Sequence, residues 1–115
     1  MNRTLALLFA AFLVPGLALA QPADPKVTRT WKAKCASCHG EDGKGNTDQA
    51  KKMGGLRDLS SAEVQKKLTD DKIKEVIAKG VKEKKGDKNA EMDAYPDLAP
   101  ATVDGLVKLI RGLAK

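Results

Sequence analysis

Two cysteines and a histidine lie within five consecutive residues and are the side chains of this sequence best suited to bind a cofactor or to do chemistry. Cys35 and Cys38 are three positions apart, and His39 follows directly. Positions i and i+3 share one face of a helical turn, so both sulfurs can reach the two vinyl groups on one side of a porphyrin and form thioethers. The imidazole can then turn toward the iron while its other ring N–H is donated to a backbone carbonyl. Cys-x-x-Cys-His is the attachment signature of a c-type haem.

Three other kinds of site could use the same residues. A redox-active dithiol expects a βαβ context, which the sequence does not indicate. A structural zinc ion takes four ligands, whereas this segment offers two Cys and the single His of the chain. A structural disulfide would leave the scarcity of aromatic residues, 3% of the chain, unexplained. Haem attachment is the interpretation that the residues favour, with the cofactor completing a small core.

The first 20 residues are typical of a secretory signal peptide. Arg3 supplies a basic start, residues 5–20 carry no charge, and Ala18-Leu19-Ala20 is a small-residue cleavage pattern. An uncleaved anchor is the alternative, but the apolar run is shorter than the about 20 residues that a spanning helix needs. We therefore expect cleavage after residue 20, one domain over residues 21–115, a periplasmic location and no stable membrane insertion.

Apolar spacing in the remainder predicts an all-α fold with four or five short helices. The first helix begins at Asp24-Pro25 and runs into Cys35, the second is capped by Ser60, the third runs from Thr69 to Gly80, and the last follows Pro100. The residues expected to face inward are Val27, Trp31, Val64, Leu68, Ile73, Val76, Ile77, Val103, Leu106, Val107, Ile110 and Leu113. Residues 40–55 are predicted to be a loop because they begin with Gly40, Gly43 and Gly45, and residues 81–91 because they are polar and lysine-rich. No segment shows sustained period-2 alternation, so no strand is expected.

Two segments resemble class I c-type cytochromes. The first is Cys-Ala-Ser-Cys-His-Gly with Glu-Asp-Gly-Lys-Gly over residues 35–45, and the second is Met92-Asp93-Ala94-Tyr95 before an amphipathic last helix. The resemblance implies a cytochrome c-like fold whose helices enclose one haem c, attached covalently through Cys35 and Cys38 and with one edge near solvent. In that family the first and last helices usually cross through a glycine and an aromatic pair. Val27 stands where glycine is common, so we expect this crossing to pack differently.

The resemblance also bears on the iron ligands. With His39 as one axial ligand, and Met1 removed with the signal peptide, Met53 and Met92 are the thioethers left for the other position. The Met-x-Ala-Tyr pattern favours Met92, which precedes the last helix and can approach from the opposite face. The alternative is a core methionine at this position, with the iron five-coordinate or ligated by water or lysine.

A His/Met pair fills both axial positions, so the resemblance implies a monomeric one-electron carrier and not an enzyme. No second histidine remains to act as a general base. Two alternatives stay open: a haem with an open sixth position for peroxide or another small ligand, and a c-type subunit of a larger redox complex.

Charge predicts the partners. The chain has a formal net charge of +6, and residues 72–88 carry seven Lys against three acidic residues. A basic rim would steer acidic redox donors and acceptors, although an ordinary solvated surface is the alternative. Nucleic acid is not expected, because the lysines lack interleaved aromatic residues. Tyr95 could pack on the haem, bond a propionate or be a core residue, and Arg57 could pair with a propionate or form an exposed salt bridge.

Overall fold

The computed structural model describes residues 23–115 together with Ala11, Leu13 and Gly16. The predicted cleavage site at residues 18–20 lies outside the described residues. Within residues 23–115 the elements are, in order, α1 Pro25–Lys34, α2 Ala36–His39, α3 Asp48–Lys52, α4 Ala62–Lys67, α5 Asp70–Lys79, β1 Val81–Lys85, β2 Lys88–Met92 and α6 Pro100–Gly112. None of the helices in the described part of the chain is long and apolar enough to cross a membrane.

The first and last helices begin where the sequence predicts. The Asp24 carboxylate accepts a hydrogen bond from the Lys26 backbone N–H at 2.8 Å and caps α1, with Pro25 in the first turn. Helix α6 begins at Pro100, and Ala99 before it offers no side-chain cap. These two helices and α5 enclose the core, which consists of Val27, Trp31, Ile73, Ile77, Leu106, Val107 and Ile110.

The crossing of α1 and α6 does pack differently from the family pattern. Val27 is only 4% exposed and lies against Gly105 in the middle of α6. A Cβ built on Gly105 would overlap Val27 Cγ2 and lie 3.4 Å from Val27 Cβ. The glycine that permits the close approach is therefore on the last helix, and the larger side chain is on the first.

Residues 81–91 form a hairpin, so the predicted loop was wrong there and the description all-α is only approximate. Strands β1 and β2 are antiparallel, with Val81 opposite Met92 and Lys85 opposite Lys88. Gly86, with φ +63°, leads the two-residue turn, as a type II′ turn requires. Apolar residues are sparse in both strands, and lysine has a low β-propensity, so the pattern of the sequence does not reveal the pairing.

Two shorter elements also differ from the prediction. The segment 40–55 contains α3, whose first turn is capped by Thr47 Oγ1 accepting from the Ala50 N–H at 3.1 Å. Helix α4 is capped by Ser61 and not by Ser60. Ser60 instead donates its hydroxyl to Asp58 Oδ1 at 2.6 Å. The first difference is a short helix within a segment predicted to be a loop, and the second is a choice between two neighbouring serines, which depends on the path of the chain.

Candidate haem site

The Cys-x-x-Cys-His segment forms one helical turn at the end of α1. The first helix ends at Lys34, and Cys35 breaks the geometry with φ −118° before α2 begins. The backbone N–H of His39 donates to Cys35 O at 2.9 Å, which closes the turn. Cys35 and Cys38 are both free and half-buried, and their spacing on this turn gives them a common side.

His39 lies half-buried beside Trp31. The two rings are stacked with centroids 6.0 Å apart and planes inclined by 30°. Burial lowers the pKa of His39, which favours the neutral imidazole that binds metals. His39 Nδ1 is buried and has no hydrogen-bond partner among the described residues. The predicted hydrogen bond from a ring N–H to a backbone carbonyl is therefore not formed at this nitrogen.

These donors fit a covalent haem better than the other sites considered from the sequence. Burial raises the pKa of the Cys35 thiol to about 11, whereas a nucleophilic dithiol or a zinc ligand needs a readily formed thiolate. No group of three or more His, Cys, Asp or Glu able to hold a metal ion occurs among the described residues. Trp31 Nε1 and His39 Nδ1 are buried without partners there, and orphaned polar groups of this kind indicate a site that protein atoms alone do not complete.

The segment after His39 folds back against the attachment turn. The Gly45 N–H donates to His39 O at 2.7 Å, and the Thr47 hydroxyl donates to Cys38 O at 2.6 Å. Thr47 therefore connects the start of α3 to the attachment turn while it caps that helix. Sequence reasoning missed this residue, although a threonine directly before Asp48 is a recognisable N-cap signal.

Met92 and Met53, the two candidate sixth ligands, occupy different environments. Met92 ends β2, is half-buried and packs against the core cluster, as Cys35 also does. Met53 is the C-terminal cap residue of α3 and is half-buried in the turn that follows. Met92 is thus the methionine that lies at the same apolar interior as the attachment turn.

Gly80 determines how the chain approaches and leaves Met92. This glycine ends α5 with φ +69°, and a Cβ on it would overlap Met92 O and lie 2.9 Å from Ala94 N. The backbone of residues 92–94 therefore passes directly over the end of α5. The sequence marked Gly80 only as a helix terminator, because the second chain segment against it is distant in sequence.

Comparison with known proteins identifies the class of this site. A model of the family described as "Cytochrome C oxidase, cbb3-type, subunit III" matches residues 22–110. The chain belongs to this family of c-type cytochrome domains. The solved structure of the KustC0563 c-type cytochrome is similar, with 32% identity, a TM-score of 0.59, and coverage of 76% of this chain and 96% of that chain. No curated protein matches this chain.

Membership confirms the cofactor and the general activity that the sequence indicates. A c-type cytochrome binds haem c covalently, and the Cys35/Cys38 pair is the matching attachment motif. A c-type cytochrome domain indicates haem-based electron transfer. The cytochrome c-like fold is confirmed as well, with the two-stranded hairpin added to the helices.

Tyr95 of this cytochrome joins the Met92 segment to the end of α1. Its hydroxyl donates to Lys34 O at 3.3 Å, and Lys34 Nζ lies 5.1 Å from the ring centroid. Partial burial raises the pKa of Tyr95, and its ring packs against the core cluster. Arg57 is exposed and forms no ion pair with any residue in the described part of the chain.

Many lysines of the cytochrome between residues 72 and 88 have partners. Four ion pairs involve them: Lys72–Glu75, Lys79–Glu75, Lys74–Asp104 and Lys82–Glu91. All of these pairs are exposed, so each contributes little to stability. The positive excess of this surface remains, because seven lysines outnumber the acidic residues around them.

Proposed function

We propose that this c-type cytochrome is a periplasmic one-electron carrier whose haem iron has His39 and Met92 as axial ligands. One observation carries the assignment of Met92. It packs half-buried against the apolar cluster that Cys35 also contacts, whereas Met53 lies in the turn after α3. Both axial positions would then be occupied by protein atoms, which suits electron transfer without substrate binding.

When bound, the haem supplies an iron that is oxidised and reduced by one electron. Cys35 and Cys38 would hold the macrocycle by thioether bonds, and the neutral His39 imidazole would supply a nitrogen ligand. The thioether of Met92 would favour the reduced iron and raise the reduction potential. The core cluster excludes water from this interior, so the protein contributes orientation and a dry environment.

The location and partners follow from the charge distribution and the N-terminal segment. Residues 1–20 have the composition of a cleavable export signal, which supports a periplasmic location. The lysine-rich surface over residues 72–88 suits acidic redox proteins as donors and acceptors, with association that weakens as salt concentration rises. The carrier would act as a monomer that meets these partners in turn.

The decisive experiment compares Met92→Ala with Met53→Ala in the haem-loaded protein. We expect the ferric wild type and Met53→Ala to show low-spin iron with the weak long-wavelength band of sulfur ligation. Met92→Ala should lose that band, bind carbon monoxide rapidly when reduced and have a lower reduction potential. Retention of the band in Met92→Ala would contradict the assignment. High-spin iron in the wild type would favour a haem with an open sixth position.

A further inference from the structure

Two lysines fasten the tip of the β1–β2 hairpin to the last residues of α3 and the turn that follows it. Lys85 Nζ donates to Gly55 O at 2.9 Å, and Lys88 Nζ donates to Lys51 O at 3.3 Å. Their side chains lie over Gly54, on which a Cβ would come within 3.4 Å of Lys85 Cβ and 3.8 Å of Lys88 Cβ. We name this pair of hydrogen bonds the lysine clasp.

The segment to which the clasp lysines donate is connected to the attachment turn through α3, and hydrogen bonds fix both ends of this helix. The Gly55 N–H donates to Ala50 O at 2.7 Å and the Gly54 N–H to Lys51 O at 3.2 Å, which is the hydrogen-bond pattern of a Schellman motif. At the other end of α3, the Thr47 hydroxyl donates to Cys38 O. A short helix with both ends fixed therefore links the clasp to the residues that hold the haem.

The clasp and Met92 lie on the same face of the hairpin. Side chains alternate along a strand, so Lys88, Ala90 and Met92 share one face of β2. Ala90 is only 6% exposed, which identifies this face as the inner one. By the strand register, Lys85 lies opposite Lys88 at the tip and Val81 lies opposite Met92 at the base.

The other face of the hairpin points outward and provides a control surface. Lys82 lies opposite Glu91 and forms an exposed ion pair with it at 3.5 Å. Lys84, opposite Asn89, is also exposed. Lys82 and Lys84 thus carry the same charge as the clasp lysines on the same hairpin, but on the face opposite to the one that carries the clasp.

We propose that Lys85 and Lys88 are positioning residues that keep Met92 on the haem iron, by fastening its hairpin to the segment that carries the haem. This inference rests on the proposed ligation by Met92. A two-stranded hairpin is marginally stable by itself in water, so its position depends on what holds its tip. With the clasp removed, the hairpin moves away more often, Met92 dissociates more often, and an added ligand competes for the iron more successfully.

The test uses the ferric, haem-loaded protein and imidazole as the competing ligand. Lys85→Ala with Lys88→Ala removes the clasp, and Lys82→Ala with Lys84→Ala removes the same charge from the outer face. We expect the clasp variant to bind imidazole about fivefold more tightly than the control variant, because two hydrogen bonds are lost. Its long-wavelength sulfur band should weaken at the same time, and Lys85→Arg with Lys88→Arg, which keeps both donors, should restore the wild-type affinity.

Equal imidazole affinity in the clasp and control variants would overturn the inference, since charge alone would then explain any change. The wild type separates this failure from failure of the proposed ligation. If the wild type shows the sulfur band and the two lysine pairs behave alike, only the clasp is refuted. If the wild type lacks the band and Met92→Ala binds imidazole equally well, the ligation and the clasp are both refuted. Should the double variant fail to fold, the single variants Lys85→Ala and Lys82→Ala make the same comparison.

Discussion

Val27 fills the space that a side chain at position 105 would need. A Cβ on residue 105 would overlap Val27 Cγ2, so Val27 of α1 and Gly105 of α6 are in direct contact where the two helices pack. The close packing of the two helices therefore requires a small residue at position 105 opposite the larger Val27. A larger residue at position 105 would raise the helix propensity of α6 but would crowd Val27, so the two effects on stability are opposed.

We predict that Gly105→Ala destabilises the haem-loaded protein. Alanine gains about 1 kcal/mol over glycine in a helix interior, but overpacking a tight core contact costs about 1–3 kcal/mol. Denaturant unfolding should show a net loss, and Val27→Ala combined with Gly105→Ala should be less destabilised than the sum of the single changes. Gly112→Ala, with no atom within 4 Å of its added Cβ, is the control and should not lose stability. A more stable Gly105→Ala variant would disprove the packing argument.

Gly80→Ala should displace Met92. The added Cβ would overlap Met92 O and approach Ala94 N at 2.9 Å, so the backbone of residues 92–94 must move. We expect a weaker sulfur band in the ferric spectrum and a lower reduction potential. Gly112→Ala is the control, because nothing lies within 4 Å of its added Cβ. Equal spectra for the two variants would mean that the close approach at Gly80 does not position Met92.

Removal of the attachment residues should leave a largely unfolded chain. Residues 21–115 contain one Trp, one Tyr and no Phe, so the protein supplies few large apolar side chains of its own. Small domains bury a low fraction of their surface and often need a bound group for stability. Cys35→Ala with Cys38→Ala should therefore give little cooperative thermal unfolding by circular dichroism. A cooperatively folded helical protein without haem would contradict the role of the cofactor in the core.

Acid should weaken the turn before α4 through Asp58. Its carboxylate accepts hydrogen bonds from the Ser60 hydroxyl at 2.6 Å and the Ser60 N–H at 2.9 Å. These bonds hold the pKa of Asp58 below its usual 3.8. Because this pKa is lower in the folded state, the stabilisation is present above pH 3.8 and is lost as the pH falls through the folded value.

Asp58→Asn should accordingly lower the melting temperature at neutral pH, and the difference from wild type should shrink in acid. Asp97, an exposed residue in the loop before α6, provides the control Asp97→Asn. A constant difference between Asp58→Asn and wild type across the acid range would show that the carboxylate charge does not matter.

The parts of the molecule that the sequence predicts are those fixed by local spacing. Covalent attachment needs Cys35, Cys38 and His39 on one turn, so the motif identifies the cofactor directly. Helix starts at Asp24 and Thr69 are local as well, because each side chain caps a backbone N–H two or three residues ahead. The apolar stripe of α6 is similarly readable: its buried residues Leu106, Val107 and Ile110 are among those predicted, whereas the buried Thr102 is not.

The parts that the sequence does not predict depend on contacts between distant segments. The hairpin forms in a lysine-rich segment. Ala90 is buried on its inner face, and its tip is held by main-chain carbonyls of Lys51 in α3 and of Gly55 in the turn after α3. The contact between the large side chain of Val27 and Gly105 likewise cannot be predicted without knowing which helices cross. Ligation by Met92 stays a prediction for the same reason, since it depends on how two remote segments approach one iron.

The pairing of α1 with α6 has a consequence for the order of assembly. Helix α1 directly precedes the cysteines, whereas α6 is at the far end of the described elements in chain order. The packing of Val27 and Trp31, and of Cys35 against the same cluster, is thus incomplete until α6 docks. We expect both thiols to be most accessible to a porphyrin before this docking, so that closure of the terminal helices is the final step of maturation.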